Sequence, residues 1–161
     1  MMCGSIATVF HNFITFLGIY FNTSQHYKAC HKSFSRYQGI YSFKGISNTC
    51  LDCICDVESN CNKEIGCADD GGSDSCGPFQ IKKVYWIDCY RPGNSYEECT
   101  KDYDCAKGCV QTYMNRYGGR KCGTTCEDYA RMHNGGPRGC KKSATNAYWD
   151  KIKLAGCSRN S

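Results

Sequence analysis

Fourteen of the 16 cysteines fall between residues 50 and 157: Cys50, Cys53, Cys55, Cys61, Cys67, Cys76, Cys89, Cys99, Cys105, Cys109, Cys122, Cys126, Cys140 and Cys157. That density leaves few folds open. Cysteine at about a tenth of a chain marks proteins in which an oxidising compartment lets disulfides stand in for a large apolar core. An even set suits seven bridges, while spacing leaves their pairing open. Zinc is the competing use, because Cys50, Cys53 and Cys55, and the pair Cys122 and Cys126, have ligand-like spacings. Against it, the region holds a single histidine, His133, and spreads its cysteines evenly rather than in paired knuckles. The expectation is a disulfide cage with no metal and no cofactor, in a secreted, extracellular protein. Cys3 and Cys30 lie outside the set.

A chain of 161 residues has room for one domain, expected at 50–157 with a short tail at 158–161. Charge separates that domain from what precedes it. Residues 1–49 carry Lys28, Lys32, Arg36 and Lys44 without an acid, whereas residues 50–161 hold 16 basic and 15 acidic side chains. A nearly neutral domain argues against nucleic acid as the main partner, since neutralising phosphates takes a concentrated basic face. Ile6 to Phe21 is mostly apolar but is interrupted by His11 and Asn12 and is short for a membrane span, so residues 1–22 read as a signal peptide. No stable membrane partner is expected. Residues 23–49, rich in Ser, Tyr, Lys and His without a steady period, read as a propeptide or linker.

From Cys50 the pattern becomes helical. Leu51, Ile54, Cys55 and Val57 predict a first helix over 50–60 that ends near Glu58. Residues 62–76 are polar and rich in turn formers, after which Phe79, Ile81 and Val84 predict a brief strand leading into a helix near 83–89. Ser95 with Glu98, and Thr124 with Glu127, read as capping boxes, and Ser143 precedes a last helix containing Tyr148 and Ile152. The longest helix is expected at about 104–117, closed by Gly118.

Two acids among these cysteines have the makings of a hydrolytic pair. Breaking a glycosidic bond takes one carboxylic acid that still holds its proton, to give to the leaving oxygen, and one ionised carboxylate at the anomeric carbon. A glutamate leaving a helix beside apolar packing suits the first role, and an aspartate on a polar, glycine-rich loop suits the second. Glu58 and Asp70 fit that division, although Asp56, Glu64, Asp69 and Asp74 lie close by.

Several collinear motifs sharpen this reading. The run Cys50-Leu51-Asp52-Cys53-Ile54-Cys55, with Val57-Glu58-Ser59 and Ile65-Gly66-Cys67, resembles the opening of the invertebrate-type (i-type) lysozymes, the family that includes destabilase. The likeness continues through the segment from Ser75 to Lys82, Tyr85-Trp86-Ile87-Asp88-Cys89, Val110 to Tyr117, the loop from His133 to Cys140, and Tyr148-Trp149. It covers about residues 50–157.

The resemblance implies a small, mostly helical α+β lysozyme-like domain with a short β region, acting on the β-1,4 bond between N-acetylmuramic acid and N-acetylglucosamine of bacterial peptidoglycan. By the family pattern Glu58 is the general acid and Asp70 the nucleophile. Asp69 and Asp74 replace residues that are usually apolar in the family, so a more acidic cleft is expected. Tyr85 and Trp86 are candidates for stacking on sugar rings, though aromatics between half-buried helices are more often core. His133, Asn134 and Gly135 are candidates for lining the groove, or form a turn with Pro137. The destabilase branch also implies an isopeptidase pair at Ser73 and Lys82, with Ser75 and His133 as alternatives. A non-catalytic glycan-binding protein on the same scaffold is the reading from another class. Oligomeric state is left open.

Overall fold

The computed structural model describes residues 45–161. The expected signal peptide, most of the expected linker, Cys3 and Cys30 lie outside the described residues. Helix α1 runs over Asn48–Ser59, two residues earlier than the first cysteine, because the Ser47 hydroxyl accepts the Cys50 amide at 3.1 Å and caps it. It stops at Asn60, whose φ of 53° is left-handed. Leu51, Ile54 and Cys55 are fully buried, and Ile46 just ahead of the helix packs into the same core.

The polar stretch that follows hides structure that hydropathy did not announce. Strands β1 (Cys67–Asp69), β2 (Asp74–Cys76) and β3 (Ile81–Lys82) form an antiparallel sheet in that order. Cys67 lies opposite Cys76 and Asp69 opposite Asp74, so residues 70–73 form a tight connection in which Gly71 and Gly72 supply positive φ. Between β2 and β3, Gly77 has φ of 70°, and a side chain there would collide with the Thr100 carbonyl. The sheet then passes directly into α2 (Lys83–Asp88). Phe79 and Ile81 are buried as expected, whereas Val84 sits on the helix and is 70% exposed.

Helix α3 (Tyr96–Lys101) is capped by Ser95, and α4 (Tyr103–Lys121) by Asp102. Gly118 does not close α4. It adopts a non-helical φ/ψ of −44°/−122°, and the chain resumes helically as far as Lys121. Helix α5 (Cys126–Gly135) has a complete capping box, formed by Thr125 and Asp128, one step beyond the expected Thr124 and Glu127. The difference is physical: Glu127 pairs instead with Arg131 at 3.1 Å and with Arg159 at 2.6 Å. Two short 3-10 turns, Gly139–Lys141 and Ser143–Thr145, lead into α6 (Asn146–Leu154).

The fold is a small, mostly helical α+β domain around Leu51, Ile54, Phe79, Ile81, Val110, Met114, Met132 and Ile152. All fourteen clustered cysteines are bonded, as Cys50–Cys126, Cys53–Cys157, Cys55–Cys61, Cys67–Cys76, Cys89–Cys109, Cys99–Cys105 and Cys122–Cys140. The cysteines with ligand-like spacing are therefore consumed by disulfides. Among the described residues no helix is long and apolar enough to cross a membrane.

Candidate active site

Helix periodicity carries Glu58 to the interior. It lies at i+7, i+4 and i+3 from Leu51, Ile54 and Cys55, so it shares their inward face. Only 19% of its side chain is exposed, at the edge of a cleft of about 470 Å³. Oε1 of Glu58 accepts a hydrogen bond from the Tyr148 hydroxyl of α6 at 2.7 Å. His133 of α5 stands beside the same oxygen, with Nε2 at 3.6 Å.

His133 is itself fixed on both sides. Nε2 lies 3.0 Å from the Phe79 carbonyl, which only accepts, so the proton belongs on Nε2, and Nδ1 is left to accept from the Tyr85 hydroxyl at 3.2 Å. Burial pushes the imidazole below its ordinary pKa, against the raising influence of Glu58 and the Phe79 carbonyl. Both contacts suit the neutral imidazole. Tyr85 in turn stacks on Tyr113 with centroids 3.7 Å apart, and burial holds its phenol well above the usual value.

Asp70 occupies the opposite kind of environment on the same cleft. It follows β1 in the exposed turn, and its side chain is 68% exposed. Lys82, from β3, places Nζ 3.0 Å from Asp70 Oδ2, 2.8 Å from the Asp70 carbonyl and 2.9 Å from Ser73 Oγ. The buried Ser75 hydroxyl donates to Asp70 Oδ2 at 3.3 Å. The hydrogen bond from Lys82, then its charge, then Ser75 lower the Asp70 pKa from its ordinary value. One lysine thus ties the strand, the turn and the carboxylate together.

The remaining sequence candidates divide. Tyr85, His133 and Asn134 line the cleft, with Gly136 and Pro137 rather than Gly135. Trp86 does not line it; its indole donates to the Pro92 carbonyl at 2.9 Å and its ring leans on Tyr96, a packing role. Ser73 sits behind Lys82, outside the lining. Ser75 and His133 both face the cleft, yet Ser75 is spent on Asp70 and both His133 nitrogens on Tyr85 and Phe79, so no hydrogen bond joins them. The expected extra acidity is also placed elsewhere. Asp69 accepts the Gly72 amide at 3.1 Å and, like Asp74, lies outside the lining, while Asp88, paired with Arg116 at 3.5 Å, lines the cleft unforeseen. Its signal was present: Val84 and Asp88 share a face of α2 at i, i+4 spacing. Tyr148 was missed as a site residue, although a phenol at a core position needs a polar partner.

This disulfide-caged α+β fold, open at one cleft, is that of a class of small hydrolases, as known proteins show. The chain belongs to the Destabilase family, whose model matches residues 47–155. It is 56% identical to a lysozyme of Ostrea edulis over 117 residues, covering 72% of this chain and 85% of that one. It is 52% identical to invertebrate-type lysozyme 6 of Caenorhabditis elegans over 123 residues, covering 70% and 88%. Among solved structures, Meretrix lusoria lysozyme in complex with Aeromonas hydrophila PliI aligns with a TM-score of 0.68 at 52% identity, covering 72% of this chain and 96% of that one. Tapes japonica lysozyme aligns with a TM-score of 0.67 at 49% identity, covering 71% and 95%. The protein is a glycoside hydrolase of the lysozyme type.

Proposed function

We propose that this protein is secreted and cleaves the β-1,4 bond between N-acetylmuramic acid and N-acetylglucosamine in bacterial peptidoglycan, with Glu58 as general acid and Asp70 as nucleophile. The observation that carries the reading is the contrast of the two carboxyl groups on one cleft. Glu58 is sheltered among Tyr148, His133 and the core, while Asp70 is solvated and held by Lys82. A neighbouring cation favours the ionised form of a carboxyl group, which suits Asp70 to the nucleophile's role.

In the first step Glu58 gives its proton to the glycosidic oxygen as the bond to the anomeric carbon breaks, and Asp70 closes on that carbon from the other side. In the second, Glu58 as a carboxylate takes a proton from water, whose oxygen displaces Asp70. Lys82 and Ser75 keep Asp70 ionised and aimed during the first step. His133, held between Tyr85 and the Phe79 carbonyl, walls the cleft beside Glu58.

The experiment is clearance of a peptidoglycan suspension by oxidised wild type, Glu58→Gln and Asp70→Asn. Each variant should fold and lose at least about 100-fold in rate, the lower range for loss of an acid–base group. Wild-type clearance by either variant refutes the role assigned to that residue. The Ser73 and Lys82 pair sits at hydrogen-bond distance, which supports a second, isopeptidase reading. The ion pair to Asp70 weighs against it, because a lysine engaged with a carboxylate is a poor base for serine.

A further inference from the structure

Glu58 has two carboxyl oxygens, and the structure treats them differently. Oε1 is turned to the interior, where Tyr148 donates to it at 2.7 Å and His133 Nε2 stands at 3.6 Å. Oε2 has no hydrogen-bond partner among the described residues. We infer that Tyr148 is a positioning residue that makes Oε1 the accepting oxygen of Glu58, and so confines the transferable proton to Oε2. The inference rests on Glu58 acting as the acid.

The argument runs through donors. A protonated carboxyl carries its hydrogen on one oxygen and leaves the other as a carbonyl acceptor. An O–H already aimed at Oε1 is best satisfied when Oε1 is that carbonyl, a stronger acceptor than the carboxyl's own hydroxyl oxygen. Tyr148 cannot readily turn away, because the residue is 8% exposed and its hydroxyl would then be buried without a partner. Burial, reinforced by Glu58, pushes the phenol far above its ordinary pKa, so it stays a donor wherever the enzyme works. His133 cannot take its place, since its Nε2 proton is committed to Phe79. When Glu58 gives up the Oε2 proton to the leaving oxygen, the new charge is met at Oε1 by the same Tyr148 hydrogen bond. Oε2 is then free to accept a proton from water in the second step.

The test uses the full chain with its disulfides formed and compares wild type, Tyr148→Phe, Ile152→Val and Glu58→Gln on a soluble amino-sugar oligosaccharide. Tyr148→Phe should lower kcat about 10-fold, as expected for losing one hydrogen bond to a group that becomes charged, with KM within twofold. Ile152→Val loosens the same helix without touching the hydroxyl and should keep wild-type kcat. Infrared difference spectra at low pH, with Glu58→Gln identifying the Glu58 carbonyl band, add a readout that packing alone would not move. Loss of the Tyr148 hydrogen bond should raise that band's frequency. Unchanged kcat in Tyr148→Phe, an equal loss in Ile152→Val, or an unmoved carbonyl band overturns the inference. If Tyr148→Phe misfolds, 3-fluorotyrosine incorporated at the tyrosines keeps the fold and must still move the Glu58 band. Full activity of Glu58→Gln would instead overturn the assignment of the acid itself.

Discussion

Lys82 spends its ammonium on a carboxylate, a carbonyl and a hydroxyl that all belong to one turn. Its hydrogen bond and charge are the leading reasons that Asp70 stays ionised below its ordinary pKa. Replacing it with methionine removes both, so the Asp70 pKa rises and the ionised form is lost sooner on acidification. The acid limb of the kcat/KM profile should therefore move to higher pH in Lys82→Met, by a modest amount because Asp70 is solvent-screened. A limb that stays in place would show that Lys82 does not tune Asp70. At this scale the sequence named Glu58 and Asp70 as candidates through the family resemblance, and the fold sets both on one cleft. Tyr148 was not legible, since its partner is 90 positions away and neither segment carries a mark of the other.

The β1–β2 hairpin sets two aspartates, Asp69 and Asp74, directly opposite each other. Like charges at such positions are destabilising, and only Asp69 has a compensating local bond, to the Gly72 amide. Asp74→Thr should stabilise the oxidised protein by about 0.2–1 kcal/mol, the range for cross-strand pairs, with a larger gain in Tm at low salt than at high salt. No gain, or one indifferent to salt, would remove the repulsion from the account. Helices were the legible elements, because capping residues and apolar periodicity announce them. The capping box of α5 was read one residue early since Thr124 and Thr125 offer the same hydroxyl and Glu127 and Asp128 the same carboxylate. The hairpin was invisible for another reason: all of β1 is exposed, so no alternation of apolar and polar residues marks it.

Across the whole molecule the bridges do what a larger core would do elsewhere. Cys50–Cys126 joins the helix bearing Glu58 to the helix bearing His133, and Cys53–Cys157 joins it to the segment just beyond the helix bearing Tyr148. That cysteines would be paired was legible from their number; which pairs form depends on three-dimensional proximity that spacing does not encode. The Cys53–Cys157 bridge spans 104 positions, and a loop of that order lowers the entropy of the unfolded chain by an amount worth about 4.7 kcal/mol. It also makes the chain from residue 53 to residue 157 a covalent circle. One peptide bond cut anywhere on a circle opens it without releasing a piece. A protease that nicks the exposed chain at Lys142, which no other bridge encloses, should thus leave a single band on a non-reducing gel and two on a reducing one, whereas the Cys53→Ala/Cys157→Ala variant should give two on both. For a hydrolase that meets a protease, the first bite is absorbed as a scar rather than a loss of parts.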